Sequence, residues 1–212
     1  MLRSFAPLAA LAVVTFLAGC AARAPFGAAT LAASELAADW PSRREQLRAI
    51  DSFTLAGRVA VVAGNEGFSA GLRWQQRGAR GAIVLEGPFG VGALAINIEG
   101  EALRVTTGRG DRYQGEAARA ALEQQLGFEL PLDALGYWVR GLPFSLAAEQ
   151  SLDPAAPRLL QLREQGWQIE YSEYQPAPFD YQPRRLVARK GDARVRLIIE
   201  RWGGATASGA AS

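Results

Sequence analysis

The sequence predicts a mainly β domain, an antiparallel sheet that is strongly curved or partly closed, with helices inserted over one opening. Three observations lead there. Period-two alternation of apolar and polar residues recurs from Ser52 to Trp202, the pattern of strands with one buried face. Short glycine-containing links such as AGNEG, RGAR and EGE separate several of these runs, as antiparallel hairpins require. Only two helical segments interrupt the strands, and neither falls between regularly alternating strands, so repeated βαβ units are not expected.

The size and composition suit one folded domain. The chain has 212 residues, 49% of them hydrophobic, enough for a substantial core. Its 23 basic and 21 acidic residues leave a net charge of +2, with no long basic block, so a nucleic-acid partner is not expected. Lys190 is the single lysine, there is no histidine, and Cys20 is the single cysteine. The usual proton shuttle, the base of a Ser or Cys triad and the commonest transition-metal ligand are therefore missing, and an internal disulfide is impossible. No cofactor, no metal and no enzymatic activity are expected.

Residues 1–19 predict a secretory signal peptide. Arg3 is followed by an apolar run from about Leu8 to Leu17 and then by small residues; the run is short of the roughly 20 residues of a membrane-spanning helix. The end of the segment, Leu17-Ala18-Gly19-Cys20, resembles the lipobox of bacterial lipoproteins, which implies acylation of Cys20, export, and, with Ala21 next, sorting to the outer membrane. Acyl chains anchor a chain to a membrane without spanning it, at roughly 0.8 kcal/mol per buried methylene. Residues 20–33 read as the acylated N-terminus and a tether, and 34–204 as a single β domain.

That domain opens with an amphipathic helix over Ser34 to Ile50, in which Pro41 is expected to start the main helix just after Trp40. Next, Phe53, Leu55, Val59 and Val61 point one way, and Ser52, Thr54 and Arg58 the other. Phe68, Ala70, Leu72 and Trp74 share a face in the following run, opposite Ser69, Arg73 and Gln75. Further strands are expected at Ala82 to Glu86, Val91 to Glu99 and Ala102 to Thr107. Between the first two of these lies EGPFGVG, Glu86 to Gly92, where Phe89 occupies a hairpin tip that polar residues normally fill.

GEAARAALEQQLGF sets Ala118, Leu122 and Leu126 four apart and ends at Gly127, predicting a short helix. PLDALGYWVRGLP predicts a second, begun by Pro131 and ended by Gly141 and Pro143. Strands follow at Arg158 to Arg163, Trp167 to Glu173, Leu186 to Arg189 and Ala193 to Trp202, and residues 205–212 are expected to be a disordered tail.

One catalytic motif is a decoy. Gly67-Phe68-Ser69-Ala70-Gly71 matches the G-x-S-x-G of serine hydrolases, but that motif needs a strand-to-helix turn beside a base. Here the alternation runs straight on into LRWQQ, no histidine exists, and Ser69 is an ordinary strand residue. Carboxylates such as Glu86, Glu99, Asp133 and Asp153 show no spacing that pairs any two of them.

Several pieces together carry a resemblance: the lipobox, the helix with Trp40, GRVAV (Gly57 to Val61), Trp74-Gln75-Gln76, GPFG (Gly87 to Gly90), YWVRGLP (Tyr137 to Pro143), GWQIEYSEY (Gly166 to Tyr174) and VRLIIERW (Val195 to Trp202). In this order and spacing the chain resembles the LolB family, outer-membrane receptors that accept lipoproteins from the periplasmic carrier LolA. The resemblance implies an unclosed antiparallel β-barrel, LolA/LolB-like, with a helical lid over an apolar cavity for acyl chains. It implies as partners a LolA-like carrier, acylated lipoprotein cargo and outer-membrane lipids, a location on the periplasmic face of the outer membrane, and a monomer. In that family the hairpin tip bears an exposed apolar residue, commonly Leu, that engages the membrane at delivery; Phe89 occupies the matching position.

Candidates for the cavity wall are the inward strand residues Leu55, Val59, Phe68, Leu72 and Trp74, then Leu85, Leu94, Ile96, Ile169 and Leu197, with Leu122 and Trp138 from the inserted helices. Core packing accounts for each of them equally well when taken alone. The alternative function is a structural outer-membrane lipoprotein that scaffolds a larger complex, which needs a filled core and a stable protein partner in place of a ligandable cavity.

Overall fold

The computed structural model describes residues 33–87, 93–175 and 182–207, all within the compact unit Leu31–Ser212. The signal peptide, Cys20 and Phe89 lie outside the described residues.

Helix α1, Ala33–Ala49, leads directly into β1, Ile50–Ala63. The expected start at Pro41 is corrected: residues 33–40 are already helical and Pro41 sits inside the helix. Proline removes one backbone donor there, while Trp40 and Leu47, two turns apart, are both buried. Tertiary anchoring of that face, which includes a 3.3 Å bond from Trp40 Nε1 to Gln150 Oε1, carries the helix through the proline.

A meander of antiparallel strands follows: β2 (Glu66–Arg77), β3 (Arg80–Glu86), β4 (Leu94–Glu99), β5 (Ala102–Thr107) and β6 (Arg112–Gln114). After helices α2 (Glu116–Leu126) and α3 (Leu132–Trp138) comes a second meander. It comprises β7 (Glu149–Leu152), β8 (Leu159–Glu164), β9 (Trp167–Tyr174), β10 (Pro183–Lys190) and β11 (Ala193–Ala207). Pairing of β1 with β11 joins the two meanders into one sheet, ordered β6-β5-β4-β3-β2-β1-β11-β10-β9-β8-β7.

That order dictates where the helices go. β6 and β7 are the two free edges of an unclosed sheet, and the chain must cross from one edge to the other between Gly115 and Ala148. α2 and α3 ride on this crossing, with α2 packed on β5 and β6. Its buried residues Ala118, Leu122 and Leu126 are the inward stripe read from the sequence, and Gly127 at φ 81° closes it by donating to Glu123 O, as a C-terminal glycine does. The helical part of the second segment is Leu132–Trp138, and the chain then turns to Gly141.

The alternation expected from the sequence sets the sheet's two faces. Phe53, Leu55, Val59 and Val61 are buried, and the register places Leu55 opposite Trp74, Val59 opposite Ala70 and Val61 opposite Phe68. Ser69 lies on the exposed face of β2, with no turn into a helix. β1 and β11 approach so closely at Gly57 that a Cβ there would stand 2.0 Å from the Ile198 carbonyl oxygen, at a shift in the strand register.

Strands β6 and β7 were not expected. They are three and four mostly polar residues, RYQ and EQSL, each paired to one neighbour, with Tyr113 and Leu152 packed against the core. β4 begins at Leu94, and β11 runs three residues into the expected tail, with Thr206 and Ala207 paired to Ser52 and Ile50.

Candidate functional site

The inward faces of both meanders meet the lid segment around a cavity of about 120 Å³ whose lining residues are all apolar. From the first meander come Val59, Leu72, Trp74, Leu85 and Ile96, and from the second Ile169 and Leu197. Trp138 closes it from α3, beside Leu135 and Val139. Eight of the residues named from the sequence therefore share one wall.

The other four do not line it. Leu55, Leu94 and Leu122 are buried in the adjoining core, and Phe68 is half-buried against it. Depth along a strand separates these from the lining set, since Leu55 and Val59 share a face while only Val59 reaches the cavity.

Sequence reasoning passed over several lining residues. Val61 and Ile83 lie on the same inward parity as Val59 and Leu85, and that parity was the available signal; Leu186 and Ala188 are on β10, where no residue was named, and pair with Leu197 and Ile169. Phe128, Leu130 and Pro131 belong to the link between α2 and α3, which has no periodicity. Trp167 also lines the cavity; it shares its face of β9 with Ile169.

The lid is tied down by polar bonds at its C-terminal end. The Glu164 carboxylate, buried at the end of β8, accepts 2.7 Å from Trp138 Nε1 and 2.9 Å from the Phe144 amide on one oxygen, and the Ser145 amide on the other. Tyr171, buried on β9, donates its hydroxyl to the Trp138 carbonyl at 2.9 Å. Burial pushes the Tyr171 phenol well above its ordinary range, aided by the nearby Tyr174 and Glu164. The Trp138 and Trp167 rings pack with centroids 6.3 Å apart.

Two arginines join the same segment to α1. Arg140 donates to Gly136 O of α3 at 2.7 Å, to Leu47 O at 2.9 Å and to Ile50 O; Leu47 lies in the last turn of α1, whose carbonyls lack helical partners, and Ile50 opens β1. Its guanidinium stacks over Tyr137 at 5.1 Å and Phe53 at 5.8 Å, and burial lowers its pKa. Arg48 of α1 reciprocates, donating to Pro143 O at 2.9 Å and Phe144 O at 3.2 Å. The rigid sheet, α1 and the lid thus meet at Glu164 and Arg140, outside the cavity's apolar lining.

The two remaining site predictions, lipidation of Cys20 and membrane insertion by Phe89, fall outside the described residues. The strands flanking Phe89, β3 and β4, pair as antiparallel neighbours with Leu85 opposite Leu94, so residues 87–93 connect a hairpin.

What the cavity can do follows from its lining. It offers no charge and no nucleophile, only apolar surface from which water gains little by staying. A hydrocarbon chain is the ligand it suits.

Comparisons with known proteins bear on the same residues. The family model described as "Outer membrane lipoprotein LolB" matches residues 51–202. The outer-membrane lipoprotein LolB of Chromohalobacter salexigens is 38% identical over 192 residues, 91% of this chain and 87% of that protein. That of Pseudomonas paraeruginosa is 35% identical over 201 residues, 95% of this chain and 96% of that protein. Among solved structures, the LolA superfamily protein NE2245 from Nitrosomonas europaea aligns with a TM-score of 0.46 at 11% identity, covering 84% of this chain and 96% of that one.

Proposed function

Because the chain belongs to the LolB family of outer-membrane lipoproteins, we propose that it is an outer-membrane receptor that accepts acylated lipoproteins from a LolA-like periplasmic carrier and passes them to the membrane. It makes no covalent change to its cargo. The observation that carries this reading is the all-apolar cavity enclosed between an unclosed sheet and a helical lid.

Energetics explain why such a cavity is needed. Each methylene exposed to water costs roughly 0.8 kcal/mol, so acyl chains of over a dozen carbons do not leave one membrane for another unaided. Shielding at each stage removes that barrier. Transfer needs no nucleotide if this chain binds cargo more tightly than the carrier does, and the bilayer more tightly still.

The cavity volume bears on how cargo loads. At about 120 Å³ it is close to the roughly 150 Å³ apolar cavity that accepts a single benzene, far less than several acyl chains occupy. Loading therefore requires α3 and the segment after it to swing away from the sheet, and the polar ties at Glu164 and Arg140 are what that motion must break or carry along. Cys20 holds the receptor on the membrane through its acyl groups, and Phe89, on the connection between β3 and β4, enters the bilayer when cargo is released.

An all-apolar cavity supports this reading over a scaffold, which has no use for one. The test mixes carrier loaded with an acylated lipoprotein with a soluble form beginning after Cys20, then separates the two proteins. Cargo is expected on this chain. Cargo left wholly on a competent carrier would overturn the receptor reading and favour the scaffold.

A further inference from the structure

The chain has five tryptophans, and four of their indole N–H groups have a hydrogen-bond acceptor. Trp40 donates to Gln150, Trp74 to Gln76, Trp138 to Glu164 and Trp202 to the Pro183 carbonyl. Trp167 Nε1 is buried and has no acceptor among the described residues. A buried donor left unpaired is costly, and native structures rarely keep one without a use for it.

Its position gives the use. Trp167 is 3% exposed and lines the apolar cavity. It also lines a second, outer groove of about 510 Å³, together with Leu130 and Pro131, which border both spaces. Beside apolar residues such as Ile98 and Leu132, the groove wall carries polar side chains of mixed charge, Glu101, Arg119, Glu129, Asp133 and Lys190. Apolar space and polar space thus adjoin at one indole. Its placement is fixed by the two-residue turn before it, where Gln165 and Gly166 have φ of 52° and 77°, the backbone of a tight hairpin. Packing against Phe128 at 5.3 Å and Trp138 at 6.3 Å holds the ring from the lid side.

An acylated cargo has the same division. Each hydrocarbon chain ends in an ester or amide carbonyl, beyond which the molecule is polar. We propose that Trp167 is the residue that reads this junction: when the lid moves to admit cargo, the chain lies in the apolar cavity, the indole N–H, covered in the structure described, is uncovered and donates to the acyl carbonyl, and the glyceryl-cysteine and the peptide after it lie in the groove of Glu101, Arg119, Glu129, Asp133 and Lys190. The proposal rests on the receptor reading. It adds a specificity: the site distinguishes acylated molecules from hydrocarbons of equal length, because a site built to donate a hydrogen bond discriminates against ligands that lack the acceptor.

The test uses the full-length chain in nanodiscs, with empty nanodiscs subtracted, and two water-soluble probes. One is a peptide with an S-glyceryl cysteine bearing two ester-linked octanoyl chains; the other carries two ether-linked octyl chains and has no acyl carbonyl. The wild type is expected to bind the ester probe about fivefold to tenfold more tightly, the size of one hydrogen bond to a buried donor. Trp167→Phe, which keeps an aromatic ring and removes the N–H, is expected to bring that ratio to about one, with any loss of apolar lining weakening both probes alike. Equal affinity of the wild type for both probes would overturn the proposal, leaving the indole to its ring neighbours and the receptor reading intact. A Trp167→Phe variant that keeps the wild-type ratio would overturn it too. Binding of neither probe by the wild type would overturn the receptor reading along with it.

Discussion

Trp138 Nε1 and Glu164 Oε2 lie 2.7 Å apart, both buried, the indole on the lid helix and the carboxylate at the end of β8. The same carboxylate takes the amides of Phe144 and Ser145, so three donors from the lid segment converge on one acceptor anchored in the sheet. Glu164 is therefore, with Arg140, a polar tie that an opening lid must release.

Replacing Glu164 with Gln tests that role with little change in shape. An amide can accept the bonds from Trp138 and Phe144 on its oxygen, but its NH2 then faces the Ser145 amide, donor against donor. The expected loss is about 1–3 kcal/mol of stability, read as a lowered urea midpoint with unchanged slope. A lid held less firmly should also bind a fluorescent apolar dye more strongly than wild type. Unchanged midpoint and dye binding would mean that Glu164 does not hold the lid.

Tyr171 and Tyr174 make stability fall at alkaline pH. Burial raises both phenols above their ordinary value of 10.0, so the folded chain keeps its protons where the unfolded chain loses them. Below pH 10 both states are protonated and the contribution is constant. As pH rises beyond that, the unfolded state gains by ionising, and stability drops by up to about 1.4 kcal/mol per pH unit for each phenol. Denaturant midpoints measured between pH 8 and 11 should be flat and then decline. Tyr171→Phe should lessen the slope above pH 10, at the cost of the bond to the Trp138 carbonyl.

How far the sequence carried these features depends on which physical scale sets them. Side-chain alternation is local, so the inward faces of β1 and β2 could be read directly from Phe53 to Trp74. Glu164 was missed, because the strand was expected to end at Arg163, one residue short of it; its place two residues after Leu162 on the inward parity of β8 was the signal, since a carboxylate at a buried strand position needs donors. β6 and β7 could not be read, because three or four mostly polar residues on a sheet edge carry no periodic signal. Nor does parity separate cavity from core, as Leu55 and Val59 demonstrate; that depends on where the lid crosses the sheet. The unpartnered Trp167 donor is further removed still, since it arises from how one turn and two neighbouring rings hold the indole.

Filling the cavity should separate cargo binding from folding. Ala188 on β10 is buried and lines the cavity, and Ala188→Leu adds three carbons to a space of about 120 Å³. Apolar atoms placed in an existing void stabilise or are neutral, whereas those forced into a packed core cost about 1–3 kcal/mol. The expected variant melts at or above the wild-type temperature yet accepts less cargo from the carrier, by about tenfold. A variant of normal stability with normal uptake would show that acyl chains do not use this space.

Delivery is predicted to fail separately from uptake when Phe89 becomes Glu. A phenylalanine side chain entering the bilayer interface contributes about 1.5–3 kcal/mol of apolar burial, while a carboxylate there must be dehydrated or neutralised and is repelled by anionic lipid headgroups. The residue falls in the connection between two paired strands, and the substitution is expected to leave cargo acceptance intact. Liposomes mixed with cargo-loaded receptor should recover inserted lipoprotein with the wild type and much less with Phe89→Glu, the balance remaining receptor-bound. Phe89→Leu should restore delivery if apolar area is what matters; restoration only by aromatic residues would assign the tip a shape requirement as well. Normal delivery by the Glu variant would remove Phe89 from the mechanism and send the search for the membrane contact to other exposed apolar residues, of which Leu146, beyond the lid helix, is 69% exposed.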